Sequence, residues 1–278
     1  MEILIPVIII GGMGLIFGAL LAIAAKIFEV KKDERIPLIV ECLPGANCGG
    51  CGFAGCSAYA EAICKGEAKT NLCPVGGNAA AEKIAEIMGV EAEKMERMVA
   101  FVACMGTPDV AADRYLNDEN ITCHAANRLA GGMKGCSYGC LGCGSCVEKC
   151  QNGGITIVNG VAKVDKELCT NCGSCIAECP RGVIIRVPYS SRAAVFCNSK
   201  ASGKEVRLVC DAGCLGCGLC AKNCPKEAIT IENNLARIDG SKCVGCGICV
   251  EKCPKKCIEL INKNAKIQAA VEVKKREQ

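Results

Sequence analysis

Residues 140–150 read CLGCGSCVEKC, and this stretch determines how the rest of the chain is interpreted. Its spacing, C-x2-C-x2-C-x3-C, returns at 169–179, 214–224 and 243–253. Adding 74 to each cysteine number of the first two runs gives the cysteine numbers of the last two. The sequence therefore contains a duplicated unit, and each unit carries the spacing twice.

The spacing is typical of bacterial two-cluster ferredoxins. Their thiolates bind [4Fe-4S] clusters, and the last cysteine of each run ligates the other cluster of the pair. This rule predicts four ligand sets in the two units. The sets are Cys140, Cys143, Cys146 and Cys179; Cys150, Cys169, Cys172 and Cys175; Cys214, Cys217, Cys220 and Cys253; Cys224, Cys243, Cys246 and Cys249.

Zinc and disulfide bonds are the other uses of paired cysteines. Tetrahedral zinc sites also contain C-x2-C pairs, and an even cysteine count in a secreted chain suggests disulfides. A third cysteine at the same spacing in all four runs favours iron over zinc. The chain is also too long, at 278 residues, for a small disulfide scaffold. A zinc-structured or metal-storing adaptor is the alternative from another functional class.

The composition indicates small metal-dependent domains. The chain has 28 cysteines, no tryptophan and 3% aromatic residues, so large apolar cores are not expected. The formal net charge of +4 counts cysteines as neutral thiols. An oxidised cluster with four thiolates carries about −2, so five clusters would bring the total to about −6. The scarcity of aromatic residues and the absence of a recognised binding motif argue against nucleic acid as a partner.

A different cysteine motif lies nearer the N-terminus. Residues 47–56 read NCGGCGFAGC, and a fourth cysteine follows in LCPVGG at 72–77, giving C-x2-C-x4-C-x16-C. The glycine-rich loop has permissive dihedral angles and N–H groups that can surround a cluster. A short helix is predicted around residues 58–63, and a further helix over 78–88 ends at Gly89.

Residues 3–28 carry no charge except Lys26, which predicts a single transmembrane helix. A cleaved signal peptide is less favoured, because no Lys or Arg precedes the apolar stretch. Lys31, Lys32 and Arg35 follow it, so the positive-inside rule predicts that the rest of the chain lies in the cytoplasm.

With the apolar segment, the Cys48 to Cys73 motif and the later repeats in this order, the chain resembles the B subunits of Rnf complexes. These complexes are membrane-bound, ion-translocating ferredoxin:NAD oxidoreductases. The resemblance covers essentially the whole chain, including the connecting residues 104–142. It implies a fifth cluster, close to the membrane, whose ligands are Cys48, Cys51, Cys56 and Cys73.

The resemblance implies an electron-transfer subunit of an oxidoreductase, with no substrate-binding catalytic site in this chain itself. It would accept electrons from soluble ferredoxin and pass them toward membrane and flavin/NAD subunits. The expected location is the cytoplasmic membrane, with a single pass and the bulk of the chain in the cytoplasm. The alternative within the same class is a membrane-anchored polyferredoxin of a hydrogenase or another reductase.

The predicted fold class is α+β: one N-terminal transmembrane helix, a small 4Fe-4S domain, and two tandem bacterial-type 2[4Fe-4S] ferredoxin modules. The predicted divisions are an anchor (1–30), a 4Fe-4S domain (31–77), a helical connector (78–132), ferredoxin-like module 1 (133–188), a basic linker (189–206), ferredoxin-like module 2 (207–262) and a charged tail (263–278). A helix over 92–101 is predicted in the connector.

Eight cysteines are left over: Cys42, Cys64, Cys104, Cys123, Cys136, Cys197, Cys210 and Cys257. Cys136 or Cys210 is an alternative to Cys143 or Cys217 in a C-x3-C-x5-C arrangement, although the standard spacing is favoured. A sixth cluster using Cys104, Cys123 and Cys136 lacks a clear fourth ligand, so buried thiols are the simpler interpretation. The only histidine, His124, is predicted to be structural or exposed.

Residues 181–209 carry an excess of basic side chains. This segment either attracts an acidic protein partner or offsets the negative charge of the clusters.

Overall fold

The structure is a computed structural model that describes residues 4–27, 33–115 and 121–261. The helices are α1 (Leu4–Ile27), α2 (Arg35–Cys42), α3 (Cys56–Cys64), α4 (Gly77–Met88), α5 (Cys123–Arg128), α6 (Ser145–Glu148), α7 (Ser174–Glu178), α8 (Gly203–Val209), α9 (Leu219–Lys222) and α10 (Ile248–Glu251). The strands are β1 (Met98–Val102), β2 (Ile155–Val158), β3 (Val161–Val164), β4 (Ile184–Pro188), β5 (Ala193–Val195), β6 (Ile229–Glu232), β7 (Leu235–Ile238) and β8 (Ile258–Leu260). The fold class is mixed α+β, as predicted.

The duplicated unit of the sequence is also a duplicated fold unit. The strands β2 and β3 form an antiparallel hairpin, and β6 and β7 form its equivalent 74 residues later. The first hairpin turns at Asn159 and Gly160, and the second at Asn233 and Asn234, all with positive φ. Two consecutive positive φ angles define the tight turn that fits the twist of paired strands.

Each module also contains a second pair of strands, and one strand of that pair precedes the first cysteine run of the module. The strand β1 pairs antiparallel with β4, and β5 pairs antiparallel with β8. Val102 lies opposite Ile184, and Val195 lies opposite Ile258. Because Ile184 and Ile258 are repeat equivalents, Val102 and Val195 occupy equivalent positions, although 93 residues separate them.

One sequence prediction is wrong at these strands. The helix predicted over 92–101 is replaced by β1, because its backbone pairs with β4, a partner that local sequence patterns do not reveal. The segment predicted as a basic linker (189–206) contains β5 and the start of α8. Within this segment, β5 pairs with β8. The helix predicted over 78–88 is confirmed as α4, which ends at Gly89 with a φ of +67°.

The first domain consists of α2, α3, α4 and the segments between them, and it has a small helical core. The helix α2 packs on both α3 and α4. Tyr59 is its largest fully buried side chain, and Ile39 and Ile84 have no exposed surface. The Tyr59 hydroxyl donates to the Lys69 carbonyl at 2.7 Å and accepts from the Leu72 N–H at 2.9 Å. These bonds fix the chain just before Cys73.

The N-terminal helix α1 has 24 residues, and its described side chains are those of residues 11–24. Leu15 and Leu21 are among its exposed apolar side chains. Among the residues that the structure describes, no helix is both long and apolar enough to cross a membrane. The predicted tail (263–278) lies outside the described residues.

Candidate iron-sulfur sites

The first cysteine motif converges where the loop before α3 meets the segment before α4. The Cys56 N–H donates to Asn47 Oδ1 at 2.8 Å, which orders the loop at the start of α3. Burial raises the pKa of Cys73, and the nearby Cys51 and Cys56 thiols raise it further. Three of the four predicted ligands thus lie close together. A Cβ added to the neighbouring glycine at position 50 would lie 3.5 Å from Sγ of Cys48, the fourth.

In the first ferredoxin-like module, the predicted ligands gather in the exchanged pattern. Burial, together with neighbouring thiols that include Cys140 and Cys179, raises the pKa of Cys146 to about 12. Cys179 belongs to the second run, so the two runs do share a site. The other set lines one cavity and consists of Cys150, Cys169, Cys172 and Cys175.

The second module repeats the exchanged pattern in two cavities. One cavity is lined by Cys214, Cys217, Cys220 and Cys253. The other is lined by Cys224, Cys243, Cys246 and Cys249. Burial, together with the Cys243 and Cys246 thiols, raises the pKa of Cys249 to about 12. Thiols that are neutral and crowded in the metal-free fold must lose protons to bind iron.

A backbone N–H group and a buried lysine lie close to these thiols. The Ala100 N–H donates to Cys169 Sγ at 3.3 Å, so strand β1 of the predicted connector contributes to a cluster site. Lys134 is 4% exposed, and its charge lowers the pKa of Cys140, which burial raises. Hydrogen bonds to sulfur and nearby charge are the main ways in which a protein tunes cluster potential.

The basic side chains of residues 181–209 are partly built into the modules. Arg181 donates to the Cys136 carbonyl, and Arg192 donates to the carbonyl of Val244, directly after a predicted ligand. Arg186 donates to Asn171 Oδ1 at 3.2 Å. These contacts favour the interpretation that the charges offset the clusters.

Two cysteines that were not predicted as ligands lie beside predicted ones. Cys143 hydrogen bonds to Cys123, which lowers the pKa of Cys123 to about 5. The Sγ atoms of Cys253 and Cys257 are 3.6 Å apart, and Cys257 also contacts Cys214. Each of these two sites therefore has a fifth thiol. For Cys257, the signal was its position four residues after Cys253; Cys123 offered no local spacing signal.

Among the described residues, no three His, Cys, Asp or Glu side chains are arranged to hold a single metal ion. A cubane has a different requirement, because each of its four thiolates binds a different iron. His124 is half-exposed, with Nε2 at 3.4 Å from Glu178 Oε1, as the structural interpretation predicts.

Comparison with known proteins identifies the same units. A family model described as "Putative Fe-S cluster" matches residues 43–75. A second, described as "4Fe-4S dicluster domain", matches residues 139–183 and 213–257. The two matches enclose the cysteine-lined sites of the first domain and of both modules.

Relatives that match most of the chain define the family. The chain is 49% identical to the B subunit of the Na+-translocating ferredoxin:NAD+ oxidoreductase complex of Acetobacterium woodii, over 87% of this chain and 73% of the relative. The chain belongs to the family of Rnf B subunits. It is also 44% identical to the B subunit of the ion-translocating oxidoreductase complex of Methanosarcina acetivorans, over 84% of this chain and 89% of the relative.

A third relative is the B subunit of the proton-translocating ferredoxin:NAD+ oxidoreductase complex of Clostridium ljungdahlii. It is 43% identical over 82% of this chain and 81% of its own length. Rnf B subunits are the iron-sulfur electron-transfer subunits of ion-translocating ferredoxin:NAD oxidoreductases. The resemblance inferred from the cysteine motifs is confirmed, and so is the iron-sulfur electron-transfer role.

Proposed function

We propose that this Rnf B subunit accepts single electrons from reduced soluble ferredoxin and conducts them through [4Fe-4S] clusters to flavin- and NAD-bearing partner subunits. The observation that carries the proposal is the gathering of thiols in sets of four, which in the two modules combine cysteines from two runs. A cluster holds one electron at a time, whereas NAD+ accepts a hydride. The two-electron step therefore belongs to a partner with flavin.

Five clusters follow from the thiol sets. When bound, the clusters supply one-electron redox chemistry, and this chain supplies their ligands, N–H donors and counter-charges. The proposed ligands are Cys48, Cys51, Cys56 and Cys73; Cys140, Cys143, Cys146 and Cys179; Cys150, Cys169, Cys172 and Cys175; Cys214, Cys217, Cys220 and Cys253; Cys224, Cys243, Cys246 and Cys249.

The order of the sites supports a path from the modules toward the membrane-proximal domain. A Cβ added to Gly50, between Cys48 and Cys51, would lie 3.1 Å from the carbonyl oxygen of Cys172. The loop of the first site thus packs against a ligand loop of module 1. Electrons arriving at the Cys172 site have a short route to the first domain.

We propose residues 1–30 as the membrane anchor, with the modules on the cytoplasmic side. The support comes from the sequence of residues 3–28 and from the basic residues after it. The partners under this proposal are soluble ferredoxin and the other subunits of the membrane complex. Deletion of residues 1–30 should release the chain from membranes of cells that lack the partner subunits. Retention at the membrane in those cells would contradict the anchor.

The electron-transfer proposal is tested on the purified full chain without air. About 20 iron atoms per chain, equal sulfide, and reduction by ferredoxin at a rate that falls with salt are expected. NAD+ should not reoxidise the chain alone but should do so in the assembled complex. Stoichiometric zinc with no reducible signal would reject the proposal.

A further inference from the structure

A fifth thiol lies at one cluster site of module 2. It belongs to Cys257, which lines the same cavity as the proposed ligands Cys214, Cys217, Cys220 and Cys253. We propose that Cys257 is a reserve ligand of this site, which binds the iron of Cys253 whenever Cys253 is released. The proposal rests on the proposed function and its ligand sets, and it adds a residue that the cysteine runs do not contain.

A tight turn brings Cys257 back to Cys253. The Lys256 N–H donates to the Cys253 carbonyl at 3.1 Å, and Lys256 has a positive φ of +50°. The Sγ atoms of Cys253 and Cys257 are therefore 3.6 Å apart, although the two residues lie four positions apart in the chain. The turn thus presents two thiols where the cysteine run supplies one ligand.

The same turn follows the last cysteine of every run. In each case the N–H three residues after that cysteine donates to its carbonyl at 3.1 or 3.2 Å, and the donor residue has a positive φ. The residues that come directly after the four turns are Gly154, Val183, Ala228 and Cys257. The fold therefore repeats this position four times, and one of the four side chains is a thiol.

The backbone of Cys257 has a direct counterpart in module 1. The Cys257 carbonyl accepts from the Phe196 N–H at 2.7 Å, and the Val183 carbonyl accepts from the Ala103 N–H at 2.9 Å. Val183 and Cys257 are both 1% exposed. Because backbone bonding and burial agree, the two modules differ here in the side chain itself. Cys257→Val is therefore a substitution that this fold already accommodates.

Burial alone does not explain the Cys257 thiol. Cysteine often serves as a small buried apolar side chain, which is the simplest interpretation of a cysteine outside the runs. Cys257 differs because it contacts the thiols of both Cys214 and Cys253. These two are the first and the last proposed ligands of one site. A thiol between them lies beside the iron that either one binds.

Rotation of side chains is enough to exchange the two thiols. Rotation of a cysteine about χ1, from one staggered rotamer to another, moves its Sγ by about 3 Å. The Sγ atoms of Cys253 and Cys257 are 3.6 Å apart, so a movement of this size carries one thiol toward the place that the other leaves. The backbone hydrogen bonds of the turn do not have to break.

The exchange conserves protons and electrons. The Cys253 sulfur releases its iron and takes up a proton. The Cys257 thiol gives up a proton and binds the same iron through its sulfur. One iron–sulfur bond breaks and one forms, and no electron is transferred. The site therefore has four thiolate ligands before and after the exchange.

A reserve thiol matters at this site because one of the proposed ligands, Cys217, is exposed. Solvent access lets water compete for an iron whose thiolate has come off. A second thiol close by rebinds that iron before it is lost. The other site of module 2 provides the internal comparison. Its proposed ligand Cys246 is also exposed, but Ala228 follows the turn after Cys224 and offers no thiol.

The experiment removes Cys253 and counts the iron that remains. The full chain is purified without air, and its iron, its labile sulfide and the electron paramagnetic resonance of its reduced form are measured. Cys253→Ala should keep the iron count of the wild type, because Cys257 completes the cluster. Cys253→Ala/Cys257→Val should hold about four iron atoms fewer and lose one reducible signal. Cys257→Val alone should keep the full count.

The matched control is Cys224→Ala, which removes the equivalent ligand where no reserve thiol follows the turn. It should hold about four iron atoms fewer than the wild type. The reciprocal variant Ala228→Cys/Cys224→Ala places a thiol after that turn and should restore the wild-type count. This pair decides the question if Cys253→Ala does not fold.

The outcomes separate the reserve ligand from the proposed function. Loss of about four iron atoms in Cys253→Ala overturns the reserve ligand and leaves the proposed function standing. If Cys253→Ala does not fold, absence of recovery in Ala228→Cys/Cys224→Ala has the same meaning. A full count in Cys253→Ala/Cys257→Val assigns the fourth ligand to another group and also overturns the proposal. A wild-type chain without reducible iron overturns both.

Discussion

Gly50 lies against Cys172: a Cβ built on the glycine would be 3.1 Å from the cysteine carbonyl oxygen and 2.9 Å from Pro74 Cγ. This contact joins the glycine-rich loop of the first domain to a ligand loop of module 1. The two loops belong to different proposed clusters, so the spacing between these clusters depends on the contact.

Gly50→Ala should loosen this junction. The added methyl group has to displace backbone or proline atoms, which costs about 1–3 kcal/mol. We expect the first cluster to assemble but to be reduced several-fold more slowly after mixing with reduced ferredoxin. Rapid freeze-quench electron paramagnetic resonance measures this rate. The control is Ala54→Ser, an exposed change in the same loop. Equal rates in both variants would show that the contact does not control transfer.

If the last cysteine of each run ligates the other cluster of its pair, variants of cysteines from different runs should lose the same cluster signal. Cys179→Ala should remove the same cluster signal as Cys146→Ala, because the two thiols share a site. Cys150→Ala should instead remove the same signal as Cys175→Ala. Each variant should lose about four iron atoms. If Cys179→Ala matched Cys175→Ala, each run would hold its own cluster and the exchange would be wrong.

Tyr59→Phe should weaken the first site without touching a ligand. The variant keeps the buried ring but leaves the Leu72 N–H without its acceptor, which costs about 1–3 kcal/mol. Because Cys73 follows Leu72 directly, iron should be released from the first cluster faster when a chelator is added. Ser57→Ala, an exposed change on the same helix, is the control. Unchanged release in Tyr59→Phe would mean that packing alone holds Cys73.

The sequence predicted the parts of this fold that local spacing determines. The cysteine runs repeat at fixed distances, and α4 has its glycine stop, so both could be recognised directly. The strand Met98–Val102 could not, because its partner Ile184–Pro188 lies more than 80 residues away. The same limit hid the equivalence of Val102 and Val195. It follows from strand register and not from the 74-residue repeat, so only the folded chain reveals it.

Loading of the clusters should weaken as the pH falls. Burial raises the pKa of Cys146 and of Cys249 to about 12. A raised pKa means that the metal-free thiol keeps its proton at every pH below about 12, so iron must displace that proton. The clusters that Cys146 and Cys249 bind then release protons on assembly, so acid opposes their assembly. Anaerobic reconstitution with iron and sulfide should therefore load fewer clusters at about pH 6.5 than at about pH 8.5.

Absorbance of the bound clusters measures the extent of loading, and a parallel titration measures the protons released. If loading were the same across this range with no proton release, the thiols would already be ionised in the metal-free fold, contrary to the effect of their burial.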